Sequence, residues 1–179
     1  PVPVRSTTPA FVGRAAELAA LVEAFGDAAD GRGTTALVAG EAGVGKSRLV
    51  GEVGAHARRR GARVLVGQCL DLEEGGLPYA PLLDIVRTLA RDLSADEGAA
   101  TLSPLRALLD PGGQPAPAAA GGGSGNPLGQ ARLFELLLTV IERLVASRPL
   151  VFVVEDLHWA DRSTMDLVSL LASNTRSLP

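Results

Sequence analysis

The only lysine of this chain lies in a glycine-rich segment whose residue types and spacing suit the binding of phosphate. The string reads Gly40-Glu41-Ala42-Gly43-Val44-Gly45-Lys46-Ser47, and it matches the P-loop pattern G-x-x-x-x-G-K-[ST]. Successive backbone N–H groups of such a loop face a phosphate, and the helix that follows adds the positive end of its dipole. We predict that Lys46 reaches the terminal phosphates of a nucleotide and that the Ser47 hydroxyl binds Mg²⁺.

A second group of candidate residues lies much later in the chain. An apolar run at 150–154 leads directly into Glu155 and Asp156. In the Walker B arrangement, acids at the carboxyl end of a strand bind Mg²⁺ and orient or deprotonate an attacking water. Because many strands end in an acidic turn, the run means little alone. Together with the glycine loop it predicts the second half of one site.

The segments around these residues predict an alternation of strands and helices. Apolar runs at 34–39, 63–69 and 150–154 indicate strands, the first of them buried. Periodicity and capping residues predict six helices: 14–29, one from about Lys46 to the glycine at 61, one opened by Pro81, a short one from Ser103, 128–146, and one capped by Asp161 with Met165, Val168 and Leu171 on its apolar face. This alternation predicts an α/β fold with a parallel sheet.

The composition restricts the kinds of function that this segment can have. The net charge of −3 argues against direct nucleic-acid binding, and the arginines at 58–60 indicate a solvated helix end. No apolar run is long enough to cross a membrane, and no secretion signal opens the chain. The single cysteine, Cys69, ends an apolar run and is predicted to be a buried thiol in a cytosolic protein.

Three motifs carry a resemblance to a known family. They are Phe11-Val12-Gly13-Arg14 with Glu17-Leu18, the glycine loop with Arg48-Leu49, and Val153-Val154-Glu155-Asp156-Leu157-His158-Trp159-Ala160-Asp161. Together they resemble the AAA-type ATPase module of STAND regulators, above all that of the large LuxR-type (MalT-like) transcriptional regulators of actinobacteria. The resemblance implies a P-loop NTPase fold, a three-layer α/β/α sandwich with a mainly parallel sheet, that binds ATP or ADP with Mg²⁺ in the cytoplasm.

The resemblance implies a role in nucleotide binding for two segments. Phe11–Arg14 would lie against the adenine, with the backbone near Val12 and Gly13 at the edge of the base. The loop would surround the phosphates with Gly40, Glu41, Ala42, Gly43, Val44, Gly45, Lys46, Ser47 and Arg48. For Phe11 a packing role at the start of the next helix stays open.

The same resemblance implies the metal and catalytic groups. Ser47, Glu155 and Asp156 would hold Mg²⁺, and Lys46, Glu155 and Asp156 would form the catalytic group, with Asp156 acting on water. The family more often has Asp at the first acidic position and Glu at the second, so the exchange here implies slow hydrolysis. His158 is expected either near the γ-phosphate or beside Trp159, and Trp159 is expected to be packed.

The sequence also predicts how the chain is divided. Residues 1–10 are predicted to be an extended segment, 11–179 a partial ATPase domain, and 110–127 a flexible insertion rich in Gly, Pro and Ala. The resemblance implies a further strand, carrying a polar sensor residue, between the strands at 34–39 and 150–154. We expect residues 1–179 to be a fragment cut before that strand, with the sensor and arginine-finger residues beyond.

These observations favour an ATP-binding, slowly hydrolysing regulatory switch of a bacterial signalling or transcription regulator. Its expected partners are the nucleotide and either a second copy or other domains of the parent protein, without membrane contact. A non-catalytic scaffold, and a module fused to an adenylyl cyclase or protein kinase, stay open. The Glu155-Asp156 pair speaks against a small-molecule kinase, and a GTPase would need a second lysine for base recognition.

Overall fold

The computed structural model describes residues 13–71, 78–105 and 127–176, which form a two-stranded sheet and six α-helices. The strands are β1 (Arg63–Gln68) and β2 (Leu150–Glu155). The helices are α1 (Ala15–Ala29), α2 (Lys46–Arg59), α3 (Ala80–Asp92), α4 (Ala95–Leu102), α5 (Pro127–Val145) and α6 (Arg162–Asn174). Short 3₁₀ helices occupy Ser103–Leu105 and Leu157–Trp159. The predicted segment at 1–10 and all but the last residue of the predicted insertion lie outside the described residues.

The two strands are parallel, as the sequence predicts. Arg63 pairs with Leu150 and Gln68 with Glu155, so the carboxyl ends of both strands lie at one edge. A parallel pair needs a long crossover, and here α3, α4 and α5 lie between the strands in sequence. The predicted α/β fold class, the strands at 63–69 and 150–154, and the long helix after residue 127 are confirmed.

Helices cover both faces of the sheet and form two separate apolar clusters. Val64 and Val151 pack on one face against Phe25 of α1 and Ala57 of α2. On the other face, the larger cluster joins the sheet to α3, α5 and α6 through Leu65, Leu82, Ile85, Val86, Leu137, Val140, Ile141 and Leu167. The chain therefore has the predicted three layers, and α2, which follows the glycine loop, lies on the Val64 face.

The predicted buried strand at 34–39 was wrong for this structure. No strand is assigned to these residues, and Leu37 has 79% of its surface exposed. A strand persists only where a neighbouring strand takes its backbone hydrogen bonds, and no described strand pairs with this segment. A side-chain hydrogen bond joins this segment to the end of α6, where Thr35 Oγ1 lies 3.2 Å from Thr175 Oγ1.

Three local predictions also need correction. Helix α4 was missed, although Ser94 and Glu97 form a capping box that is visible in the sequence. The helix predicted from Ser103 is a single 3₁₀ turn that continues α4. On α6, Met165 is 43% exposed, while Thr164 and Leu167 are buried and Leu171 packs against the main cluster, so Met165 does not belong to the buried face.

Gly67 of β1 lies against the start of α3, and we predict that Gly67→Ala destabilises the domain by about 1–3 kcal/mol. An added Cβ would stand 2.8 Å from Pro81 Cβ and 2.9 Å from the Pro81 carbonyl carbon. These atoms belong to a packed helix start, so relief requires a shift of α3. Chemical denaturation of the purified chain measures the difference.

Gly51→Ala is the matched control for this prediction. Gly51 is exposed within α2, and a Cβ there would meet no atom within 4 Å. The same change should raise stability by up to ~1 kcal/mol, because alanine is the better helix former. Equal effects of the two substitutions would contradict the close packing of Gly67 on α3.

Candidate nucleotide-binding site

The glycine loop curls around the side chain of its own lysine. Lys46 Nζ donates hydrogen bonds to the carbonyl oxygens of Gly40 at 3.0 Å and Glu41 at 2.9 Å. Gly43 and Gly45 have φ angles of 76° and 90°, values that side chains with a Cβ rarely adopt. The ammonium group is thus held at the mouth of the loop by local backbone geometry.

The start of α2 is open to an anion. Gly45 is its N-cap, with no side-chain cap and no acidic residue in the first turn. The first N–H groups of a helix lack partners within the helix, and they carry its partial positive charge. Ser47 and Arg48 are exposed in this turn, whereas Leu49 is 1% exposed and anchors α2 to the core. The predicted helix start at Lys46 is confirmed.

The acidic residues lie where β2 ends, as predicted. Side chains alternate along a strand, so Glu155 points to the same face as Val151, which is the face covered by α2. Helix α2, which follows the loop, contacts both strands. That the loop and the acidic end of β2 form one site stays a prediction.

Asp156 has an unusual backbone and a side-chain partner. Its φ and ψ of 56° and 43° are left-handed, a conformation that Asp tolerates better than most residues but that costs free energy. Gln68 Nε2 donates a 2.9 Å hydrogen bond to Asp156 Oδ2. Gln68 lies outside the sequence motifs that predict the site. Its signal in the sequence is that it is a polar residue near the end of the strand predicted at 63–69.

Beyond Asp156 the chain makes one 3₁₀ turn and then enters α6. Trp159 N donates to the Asp156 carbonyl at 2.9 Å, and the Asp161 carboxylate caps α6 by accepting from Ser163 N at 2.8 Å and Thr164 N at 3.2 Å. The predicted cap is confirmed. The predicted packing of Trp159 was wrong, since its side chain is 46% exposed and its ring lies 4.9 Å from that of His158.

Cys69 lies beside this turn and is buried, with 4% of its surface exposed. Its N–H donates to the Glu155 carbonyl at 3.0 Å and extends the pairing of the two strands. Burial raises the pKa of the thiol, and the carboxylates of Asp161 and Asp156 raise it further. The group therefore stays protonated at neutral pH, and the predicted burial of the thiol is confirmed.

The residues predicted to contact adenine are only partly described. Phe11 and Val12 lie outside the described residues. Gly13 is exposed, with φ of 91°, and Arg14 is half-buried as the residue that precedes α1. Helix α1 packs on α2 through Phe25, whose ring lies edge-on to His56 at 6.0 Å.

The donor types present at the start of α2 and at the end of β2 suit Mg²⁺ held jointly with phosphate. Among the described residues, no three or more His, Cys, Asp or Glu side chains form a metal-binding group. Mg²⁺ typically takes one or two carboxylates, a hydroxyl and phosphate oxygens. Ser47 and the two acids at the end of β2 fit that chemistry. Within the same part of the chain, no helix has the length and apolar character needed to cross a membrane.

A glycine loop that opens a helix, with acids at the adjoining strand end of an α/β sandwich, defines the fold as that of a P-loop NTPase. The chain belongs to the AAA ATPase domain family, which matches residues 10–179. An uncharacterized protein of Rhizobium meliloti (strain 1021) is 27% identical over 185 aligned residues, which cover 94% of this chain and 18% of that protein. No solved structure matches the chain.

Proposed function

We propose that this domain binds ATP with Mg²⁺, hydrolyses it slowly and acts as a nucleotide-dependent switch in a bacterial signalling or transcription regulator. The observation that carries the proposal is the position of Lys46 Nζ against the Gly40 and Glu41 carbonyls. A phosphate that enters the loop meets this ammonium together with the N–H groups that open α2. Membership of the AAA ATPase domain family supports the same ligand class.

The roles of the residues follow from their chemistry. The backbone of the glycine loop and Lys46 hold the phosphates, and Arg48 lies in the same exposed turn. Ser47 and Glu155 hold Mg²⁺, which neutralises phosphate charge when it is bound. Phe11–Arg14 contact the adenine.

We assign the activation of water to Asp156. Its carboxylate is hydrogen-bonded by Gln68, so it has a preferred orientation, and it can accept a proton from a water molecule. An aspartate reaches less far than a glutamate, so we expect slow hydrolysis. Slow turnover suits a switch, because the nucleotide-bound state must last long enough to act on neighbouring domains.

The regulatory role is supported by the motifs that resemble those of STAND regulators. It is also supported by the greater length of the Rhizobium meliloti relative, of which this chain spans only 18%. The activity of a longer protein that contains this domain is therefore itself part of the proposal. In that parent, we expect the nucleotide to bias the arrangement of neighbouring domains or of a second copy, in the cytoplasm.

Calorimetric titration with ATP, ADP and GTP, each with Mg²⁺, tests the proposal. We expect binding of adenine nucleotides, weak or no binding of GTP, and different affinities for ATP and ADP. Different affinities are required because a ligand shifts a conformational equilibrium only by its differential affinity. Equal affinities combined with no phosphate release would instead favour a non-catalytic scaffold.

Gln68→Leu is predicted to lower turnover about tenfold while leaving nucleotide affinity unchanged. Leucine keeps much of the volume but removes the donor that holds Asp156, and a hydrogen bond to a charged group contributes roughly 1.5–3 kcal/mol. Phosphate release and calorimetry separate the two effects. Thr139→Val is the control, because the Thr139 hydroxyl donates to the Glu135 carbonyl within α5 rather than to Asp156. Full turnover in Gln68→Leu would show that the hydrogen bond does not orient the acid.

A further inference from the structure

Exposed arginines without acidic partners lie at the end of α2 and just before β2. Arg58 and Arg59 end α2, Arg60 is its C-cap, and Arg148 lies two residues before β2. All four are exposed. Within the described part of the chain, none of their guanidinium groups takes part in an ion pair or a hydrogen bond. We call these four residues the arginine patch.

The pairing of the two strands brings Arg148 to the end of α2. Arg63 N donates a 2.8 Å hydrogen bond to the Pro149 carbonyl. Arg148 directly precedes Pro149, and Arg60 lies three positions before Arg63, so both arginines lead into paired strands from the same edge of the sheet. The glycine loop lies at the other end of α2, about 20 Å away by helix rise. The arginine patch is therefore separate from the candidate nucleotide site.

The surroundings of the arginine patch do not neutralise its charge. Helices α2 and α5 both end at this edge, and each helix end carries about half a negative charge, against the four positive charges of the arginines. Helix α1 packs on α2, but the acids near its end, Asp27 and Asp30, are already paired with Arg32 at 2.7 and 3.3 Å. An excess of positive charge therefore remains at this edge.

Arg63 lies beside the arginine patch but is not counted in it, because it is half-buried. Burial and the charge of Arg148 lower the pKa of its guanidinium, while Glu97 of α4 and Asp92 of α3 raise it. The lowering by Arg148 is the effect expected of a neighbouring like charge. It agrees with the position that the strand pairing gives to Arg148.

The chemistry of the arginine patch favours carboxylates of a protein over a nucleic acid. The guanidinium fork can bind a carboxylate or a phosphate through two parallel hydrogen bonds. Proteins that bind duplex DNA typically make about six to ten phosphate contacts, and those that bind single strands add aromatic side chains for stacking. The segments at 57–63 and 146–150 contain no aromatic residue, and the net charge of −3 repels a polyanion at long range.

We propose that the arginine patch is a docking surface for an acidic segment of a partner protein. The Asp and Glu carboxylates of that segment pair with guanidinium groups from both parts of the chain, the end of α2 and the residues before β2. The inference goes beyond the proposed function and does not depend on it, because the surface lies away from the glycine loop.

Fluorescence anisotropy of the full chain with a labelled acidic peptide tests the inference. The probe is a peptide of about twelve residues in which glutamate alternates with serine, and it spans about 40 Å when extended. We expect it to bind several-fold more weakly at about 0.15 M than at about 0.01 M salt, because the Debye length shortens from about 30 to about 8 Å. A serine–glycine peptide of the same length should not bind. Absence of binding by the glutamate peptide at low salt overturns the inference.

Variants at both ends of the arginine patch show whether it acts as one surface. Arg60→Ala and Arg148→Ala should each weaken binding of the glutamate peptide several-fold, and the double variant should weaken it about tenfold. Arg162→Ala is the matched control, since it removes the same charge from an exposed residue at the start of α6, after the carboxyl end of β2. An equal loss in Arg162→Ala, or unchanged binding in Arg148→Ala, overturns the inference.

Two further measurements separate this surface from other sites and other partners. The double variant should bind ATP with wild-type affinity in calorimetry, and a parallel loss of ATP and peptide affinity would contradict a separate surface. A labelled DNA duplex and a labelled single strand are compared with the peptide at the same salt concentration. If either nucleic acid binds more tightly than the peptide and loses affinity in the double variant, the partner is a nucleic acid and the inference is wrong.

Discussion

Replacing Lys46 with alanine is expected to lower the affinity for ATP with Mg²⁺ at least about 100-fold. The ammonium contributes two or more charge-assisted hydrogen bonds to phosphate, each of roughly 1.5–3 kcal/mol. The chain has no other lysine that could substitute. Isothermal titration calorimetry of the wild type and the variant measures the difference.

The fold should survive this substitution. Lys46 bonds the carbonyls of two exposed residues, Gly40 and Glu41, and water can replace the ammonium there. Melting curves therefore give a second readout. ATP at 100 times the wild-type Kd should stabilise the wild type by about 2.7 kcal/mol and raise its Tm by roughly 5–10 °C, whereas the variant should shift by at most about 1–2 °C.

Arg59→Ala is the matched control for Lys46→Ala. Arg59 is exposed at the opposite end of the same helix, about 20 Å from Lys46 by helix rise. The substitution Arg59→Ala removes the same unit of charge as Lys46→Ala and should leave the affinity for ATP almost unchanged. If both variants lose affinity equally, overall charge rather than the loop attracts the nucleotide. If Lys46→Ala binds normally, the loop is not the phosphate site.

Asp156→Asn is expected to lower ATP turnover about 10²–10⁴-fold, the usual contribution of a general base, with little change in affinity. Asparagine has the same shape, accepts the hydrogen bond from Gln68 through its carbonyl oxygen, and tolerates left-handed backbone angles. It cannot accept a proton from water. Single-turnover phosphate release measures the effect, and calorimetry verifies binding.

Two further variants make the Asp156 result specific. Asp84→Asn removes a carboxylate from an exposed position of α3, where the nearest cation is Arg87 at 3.9 Å, and it should keep full turnover. Glu155→Gln should instead raise the Mg²⁺ concentration needed for activity, because Glu155 is assigned to the metal. Wild-type turnover in Asp156→Asn would mean that this acid has only a structural role.

The local features of the site were predictable from short stretches of sequence. The start of α2 at Lys46 follows from glycines that turn the chain and a lysine that opens the helix. The cap at Asp161 follows from an acid before an amphipathic segment. The acidic end of β2 follows from an apolar run that ends in two carboxylates. Each depends on neighbours within a few residues.

Features that join distant segments were not predictable in this way. The partnership of Gln68 with Asp156 depends on the parallel register of β1 and β2, which pairs residue 68 with residue 155. The edge-on contact of Tyr79 with Phe134 depends on how the start of α3 packs against α5. No propensity or period in the sequence contains such a register, because it arises only when two apolar surfaces meet.

The segment at 34–39 illustrates the boundary between local and tertiary control. Its apolar, β-branched composition was sufficient to predict a strand, yet Leu37 is exposed and residues 34–39 form no strand. Composition expresses a preference for extended backbone, but a strand requires a hydrogen-bonding neighbour. The same reasoning applies to Trp159, which is apolar enough for the core but lies on an exposed turn.

The sequence by itself determined the chemistry of this domain: a phosphate-type loop with the single lysine, two acids after an apolar strand, and the alternation that makes a parallel α/β sandwich. These are properties of residue type and short spacing. Only the tertiary structure decided which acid is held by Gln68, which residues take left-handed backbone angles, and how Tyr79 packs against Phe134. Those features depend on strand register and helix packing, which minimise the exposed apolar surface of the whole domain rather than of any one segment.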